Sequence, residues 1–197
     1  MRNVFKTNKV LAMLSLVKRY HANQFRNNGK IPYWQHCLSV AEIVHNALKN
    51  SQELNEADDG YIAIVCSALG HDLFEDTSVS KKEIRKRFGK PVEELITCLT
   101  NVEGDASRKT YMEKLKSSPE EVVLIKYADL IENTISAAYS IHDMGTAWTK
   151  NFYQPIKNDT KKTLTSIKFV LYPATASKLR EQFLFAEERF ENNLIKF

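Results

Sequence analysis

Nine residues, Tyr61 to Leu69 (YIAIVCSAL), carry no charge, and the next seven carry four ionisable side chains: His71, Asp72, Glu75 and Asp76. An uncharged run of that length belongs in a core, and its residue types suit a buried helix. Each charge brought to the end of such an element needs a partner, because an unpaired buried charge is strongly destabilising. If the helical turn persists, His71 lies beneath Glu75 and Asp72 beneath Asp76, in two layers about 5–6 Å apart. The first layer offers an imidazole and a carboxylate, a suitable pair for a divalent cation. The second places two carboxylates beside whatever that cation holds. Three acids this close repel one another, and a cation between them removes the cost.

The rest of the chain reads as helix. Helical spacing predicts elements over 8–24 (Leu11, Leu14, Val17 and His21 on one face) and 34–49 (His36, Val40, Ile43, Val44 and Ala47), then over 61–73. Ser80 and Glu83 form a capping-box pattern opening a short helix to Phe88, which Gly89 stops. Pro91 sits at the start of the next helix. NVEGDAS (Asn101 to Ser107) reads as a loop before a charged helix over 108–116. SSPEE (Ser117 to Glu121) supplies a cap, a proline and first-turn acids for a helix reaching about His142. Two last helices are expected near 158–169 and 174–194, separated by Tyr172-Pro173. There is no period-2 strand pattern and no internal repeat. The expected fold class is all-α: a helical bundle of about nine or ten helices, with a core over residues 1–145 and a C-terminal helical extension over 146–197 packed on the same domain.

Composition supports that class. Hydrophobic residues make up 43% of the 197, with only 6 Gly and 5 Pro, so a packed helical core is within reach. The formal net charge of +4 comes without long Lys/Arg clusters, which argues against a nucleic-acid partner. Cys37, Cys66 and Cys98 are odd in number and lack a Cys-x-x-Cys spacing. They read as reduced core residues rather than a disulfide frame or zinc knuckle. With no apolar signal core in MRNVFKTNKV and no 18-residue apolar run, the expectation is a cytoplasmic protein with no membrane partner. Nothing in the sequence marks an oligomeric state.

Two ligands are too few for a stable metal site. The missing ones should be polar residues stranded on apolar faces, and His36 and Asp129 are two such residues. Each has a plainer reading: His36 as a hydrogen-bonded core histidine, Asp129 as one half of a salt bridge, to Lys126 or an arginine. Together the order is His36, then His71-Asp72, then Asp129. Two imidazoles and two carboxylates leave positions open on a six-coordinate ion, a more specific pattern than any member alone.

That order resembles the HD-domain metal-dependent phosphohydrolases. QFRNNGKIPYWQH (24–36), ALGHDLFEDT (68–77), KRFGKPVEELITCLTN (86–101) and SSPEEVVLIKYADLIEN (117–133) resemble, in sequence order, the hydrolase domain of RelA/SpoT-type enzymes. The stand-alone small alarmone hydrolases are nearest in size. The His-Asp-x-x-Glu-Asp-Thr extension narrows the resemblance to that branch. The resemblance implies an all-helical fold and manganese, or another divalent cation. It implies removal of the 3′-pyrophosphate of guanosine tetra- or pentaphosphate, giving GDP or GTP and pyrophosphate. His36, His71, Asp72 and Asp129 would hold the metal. Glu75 and Asp76 would activate the water and manage proton transfer. Arg26 would face the guanine, Asn133 the ribose, and Ser136 would stand where a threonine hydroxyl often sits. With no synthetase-like region, hydrolysis without synthesis is expected.

The departures gather on the nucleotide side. Asn27 stands where many members have lysine, Leu130-Ile131-Glu132 where many have a basic residue and then an aromatic or imidazole, and Ile135 where arginine is frequent. Asn23 replaces a glycine, and the loop 28–31 is one residue longer. The four ligand positions and Glu75-Asp76 are untouched. Two alternatives follow: the same centre acting on another nucleotide or phosphorylated cofactor, or a metal-retaining protein that senses a nucleotide without turning it over. Lys150, Lys157, Lys161 and Lys162 read as a solvated helix face.

Overall fold

The computed structural model describes residues 4–27, 29–101 and 108–196. Among them the regular structure is helical: α1 (Asn8–Tyr20), α2 (Tyr33–Ser51), α3 (Asp59–Leu69), α4 (Leu73–Asp76), α5 (Lys81–Phe88), α6 (Lys90–Leu99), α7 (Arg108–Lys116), α8 (Glu120–Met144), α9 (Thr146–Trp148), α10 (Gln154–Thr165) and α11 (Pro173–Ile195). A π-helical turn, Thr149–Tyr153, joins α9 to α10. The all-α expectation holds. Residues 102–107, where most of the NVEGDAS loop was placed, lie outside the described residues, as does Asn28 in the loop 28–31.

The centre of the bundle is α8, packed against α2, α3, α6 and, along most of its length, α11. Its Val123, Tyr127, Leu130 and Ala138 are buried, as are Val40 and Val44 of α2 and Leu179, Phe183 and Phe190 of α11. Apolar residues nearly encircle α8, as expected for a helix covered on all sides. Phe190 is fully buried against Ala137, Ala138 and Ile141. Phe190→Ala is expected to lower unfolding free energy by about 3–5 kcal/mol, the usual range for emptying a buried aromatic site. A urea titration with unchanged slope checks it.

Several local expectations change. In α1 the buried residues are Val10, Met13, Leu16 and Val17, while Leu11 is exposed. The helix carries two apolar stripes one position apart, and its partner surface selects the one through Met13. The helix ends at Tyr20, not Gln24. The following segment turns back on itself, with an isolated bridge between Phe25 and Pro32. Helix 61–73 is broken: α3 stops at Leu69, and Gly70, His71 and Asp72 form a corner before α4. A Cβ on Gly70 would stand 2.9 Å from Ile96 Cδ1, so this corner packs tightly.

Only half of the capping box forms. Ser80 Oγ accepts from Glu83 N at 3.1 Å, but the Glu83 carboxylate accepts from Tyr20 Oη at 2.9 Å and pairs with Arg19 and Arg87. Before α8, Ser117 and Ser118 donate back to the Lys114 carbonyl instead of capping forward. The helix opens on Pro119 with Glu120 and Glu121 in its first turn.

The helix expected near 158–169 starts earlier, at Gln154. Lys157 on it is not solvated: it is buried, its Nζ 3.1 Å from Glu187 and 2.8 Å from Glu191 of α11. The start of α11 is held from elsewhere in the chain. Glu53 accepts from the backbone N–H groups of Ala174 and Thr175, and Glu120 from those of Val170, Leu171 and Tyr172. Of these donors, the N–H groups of Tyr172, Ala174 and Thr175 are ones that the start of α11 leaves unpaired.

Candidate metal centre and its surroundings

Three elements meet at one point. The first turn of α2 presents His36, the corner before α4 presents His71 and Asp72, and the middle of α8 presents Asp129. His71 Nε2 lies 3.2 Å from His36 Nε2 and 2.9 Å from Asp72 Oδ2. His36 Nε2 lies 3.5 Å from Asp72 Oδ2 and 3.4 Å from Asp129 Oδ1, and His71 Nε2 lies 3.8 Å from that same Asp129 oxygen. Donor atoms about 2.1 Å from a common ion stand about 3.0 Å apart at right angles and about 3.4 Å apart at the tetrahedral angle. The separations of 2.9–3.5 Å fit that spacing and the 3.8 Å one is wider; His36, His71 and Asp129 form one group within reach of a single ion, with Asp72 Oδ2 against both histidines.

The outer nitrogens strengthen the fit. His71 Nδ1 donates to the Ala68 carbonyl at 2.9 Å, and His36 Nδ1 is bonded to Glu132 Oε2. With both Nδ1 atoms occupied as donors, the Nε2 atoms turn toward each other and toward two carboxylates, where they hold protons without a metal and would offer lone pairs to one. Four converging lone pairs need a cation. Burial alone would lower the His36 imidazole, but hydrogen bonds to Asp72 and Glu132 and the charges of Glu132 and Asp129 outweigh it and raise it to about 9. The same balance, led by the Asp72 charge, raises His71. Burial would push the Asp72 and Asp129 carboxyls up. The charge and hydrogen bonds of the two histidines hold Asp72 well below its ordinary value. Lys126, with the histidines, outweighs burial and lowers Asp129.

A second group, Cys37 with His71 and Asp72, also lies within reach of one ion. Burial and the nearby acids hold the Cys37 thiol up and protonated, which makes it the poorer donor.

The plainer reading of Asp129 is also realised, because a carboxylate has two oxygens. Oδ1 faces the histidines, while Lys126 Nζ lies 2.7 Å from Oδ2. Burial would lower the Lys126 ammonium, but Asp129 outweighs it, so this side chain stays charged. Asn133, one turn along α8, donates to Oδ1 at 2.5 Å.

Glu75 and Asp76 stand beside this cluster and keep solvent access. The surrounding protein and the Asp72 charge raise both carboxyls, although Asn101 N–H donates to Glu75 Oε2 at 2.9 Å. Glu75 lines a cavity of about 160 Å³ with His71, Asp72, Lys126, Asp129 and Arg108. Arg26, Asn133 and Ser136 meet at a second, smaller cavity of about 30 Å³, walled also by Trp148 and Tyr153. All nine residues singled out in the sequence therefore lie in one region. Arg26 is engaged there: its Nη2 lies 2.8 Å from Asn133 Oδ1 and 3.2 Å from Glu132 Oε2.

Sequence reasoning did not single out Tyr33, Trp148 or Tyr153, and noted Glu132 only as a departure. Tyr33 Oη donates to Asp72 Oδ2 at 2.7 Å, fixing the oxygen that faces both histidines. A tyrosine three positions before His36 on the same helix face was the available signal. Tyr33→Phe is expected to weaken divalent-metal binding about tenfold, the low end for losing an outer-shell partner. Calorimetric titration with Mn²⁺ measures it.

The HD domain sequence pattern matches residues 14–143, about two-thirds of the chain. The chain belongs to the HD domain family. Among relatives of this HD domain, a probable guanosine-3′,5′-bis(diphosphate) 3′-pyrophosphohydrolase of Mycoplasma genitalium is 25% identical over 203 residues, 89% of this chain and 26% of the relative. Its counterpart from Borreliella burgdorferi is 26% identical over 70% of the chain and 20% of its own length. A Brucella ovis protein named GTP pyrophosphokinase rsh is 33% identical over 57% of the chain and 15% of its own length. The HD domain here thus spans about a quarter or less of each of these relatives. A solved structure of a metazoan ortholog of SpoT that hydrolyses ppGpp shares the fold. Its TM-score is 0.62 and its identity 21%, over 89% of this chain and 96% of that one. Trp148, Tyr153 and all of α10 and α11 fall beyond residues 14–143, which the HD domain pattern matches. Among the described residues no helix is long and apolar enough to cross a membrane.

Proposed function

We propose that this HD domain removes the 3′-pyrophosphate of guanosine tetra- or pentaphosphate, releasing GDP or GTP and pyrophosphate, with manganese as the metal. The observation that carries the reading is the pair Glu75 and Asp76 standing beside four convergent donors. A pure binding site has no need of two raised carboxyls there. The names of the Mycoplasma and Borreliella relatives point to the same substrate.

His36, His71, Asp72 and Asp129 hold the metal. Bound there, a divalent ion lowers the pKa of water and offsets charge on phosphoryl oxygens. Glu75, which faces the larger cavity, orients the attacking water and takes its proton as the phosphorus–O3′ bond breaks. Asp76 is the neighbouring carrier for the proton that the leaving 3′-oxygen needs. Lys126 and Arg108 place positive charge on the cavity wall, where it stabilises the developing oxyanion. Arg26, Asn133 and Ser136 take the nucleoside, with Arg26 suited to stack on a purine. Residues 1–145 form the hydrolase core, and the segment from 146 onward supplies a wall of the nucleoside side through Trp148 and Tyr153.

A second reading keeps the centre and changes the nucleotide. The attachment of Arg26 to Glu132 favours it, because that arginine is not free for guanine in this arrangement. One assay separates the two. The purified protein with Mn²⁺ is offered guanosine tetraphosphate beside a panel of other nucleotides. Release of GDP and pyrophosphate supports the first reading, and turnover of other nucleotides alone replaces it with the second.

A further inference from the structure

One carboxylate oxygen, Glu132 Oε2, serves two masters. It accepts from His36 Nδ1 and from Arg26 Nη2, the latter at 3.2 Å. The same Arg26 nitrogen donates to Asn133 Oδ1 at 2.8 Å, and Asn133 in turn donates to Asp129 Oδ1. Arg26 is thus one residue removed from two members of the donor cluster. It also lines the smaller cavity, whose 30 Å³ leaves room for little more than ordered water. A purine enters that space only when a lining side chain moves.

We propose that Glu132 is a positioning residue that couples occupancy of the nucleoside side to metal affinity, by switching between Arg26 and His36. The coupling rests on the nucleotide reading above for what moves Arg26, but not for the switch itself. With Arg26 in place, Glu132 Oε2 is shared and its charge partly neutralised. When Arg26 turns to a purine, Glu132 acts on His36 Nδ1 alone. A carboxylate on the outer nitrogen raises the donor strength of the inner one, so the metal tightens. Linkage is reciprocal, and the metal then tightens the nucleoside by the same factor.

Calorimetric Mn²⁺ titrations of four full-length proteins test the switch without any nucleotide: the native chain, Arg26→Met, Glu132→Gln and the double variant. Arg26→Met should tighten Mn²⁺ about fivefold or more, within the usual range of site–site coupling. Glu132→Gln should weaken it about tenfold or more. The tightening by Arg26→Met should be smaller by about fivefold or more in the Glu132→Gln background than in the native one, since loss of the Asn133 arm is common to both backgrounds and cancels in that difference. Unchanged or weaker binding in Arg26→Met overturns the proposal. So does equal tightening in both backgrounds, which would mean a through-space charge effect.

A second arm uses guanosine, which has no phosphate to touch the metal. Saturating guanosine should tighten Mn²⁺ in the native protein and not in Glu132→Gln. If guanosine fails to bind while the four-protein cycle holds, the guanine reading falls and the switch stands. If guanosine binds and the cycle fails, the switch falls and the substrate reading stands.

Discussion

Asp72→Ala is expected to abolish both Mn²⁺ binding and pyrophosphate release. Asp72 Oδ2 is the donor atom nearest His71 Nε2, at 2.9 Å, and also faces His36 Nε2 at 3.5 Å. Its loss removes one of two negative charges that a divalent ion would neutralise. It also leaves the Tyr33 hydroxyl, now donating to it, without that acceptor. Losing a mere outer-shell partner costs about 10–100-fold in metal affinity, and losing a charged donor should cost more. The fold should survive, because the apolar packing of α2, α3 and α8 does not depend on this side chain. Calorimetry with Mn²⁺, a thermal melt and a pyrophosphate assay together decide it. Native-like Mn²⁺ affinity in Asp72→Ala would sink the four-donor assignment.

Glu75→Gln should behave differently. The amide keeps the volume and can still accept from Asn101 N–H, but it cannot take a proton. Mn²⁺ affinity should stay within a few-fold of native, while turnover falls by about 10²–10⁴-fold, the usual contribution of a positioned acid–base group. The split between binding and turnover is the diagnostic result. Unchanged turnover in Glu75→Gln would move the proton-transfer role elsewhere, with Asp76 the first residue to examine.

How much of this was legible in the sequence depends on whether an argument stayed within one element. His71, Asp72, Glu75 and Asp76 were readable as a group because they are local. His36 and Asp129 were readable because a polar residue on an apolar helix face needs an explanation. Glu132 was noticed only as a departure. Its role depends on His36, 96 positions away, and Arg26, 106 positions away. No helical period reports such a meeting. The break at Gly70 was missed for a related reason: 61–73 has helix-forming residues throughout, and the corner sits where tertiary neighbours leave no room for a side chain, since a Cβ on Gly70 would meet Ile96 of α6 and Met13 of α1 as well as Leu73.

The failed caps teach the same lesson. Glu83 was free by sequence to complete a capping box, but Tyr20 and Arg19 of α1 offered it partners, and a hydrogen bond to tertiary neighbours won. Lys157 looked like a solvated helix residue, yet α11 brings Glu187 and Glu191 over it. Local pattern set where helices form. Which polar groups each helix end or face finally satisfies was set by the partners that packing delivered.

The two glutamates at the start of α11 carry a consequence for the order of assembly. Glu53 and Glu120 leave a ribosome long before Ala174 and Thr175 do, so their carboxylates wait in solvent for the last helix. Docking of α11 joins segments far apart in sequence, and such non-local contacts cost loop-closure entropy. Until it docks, the buried residues Ala137, Ala138 and Ile141 of α8 lack the cover of Phe190 and Leu194. Tyr153 lacks the edge of the Phe190 ring, whose centroid sits 5.5 Å away in the finished fold. His36, His71, Asp72 and Asp129 therefore all leave the ribosome before Phe190, the ring that backs Tyr153, is made.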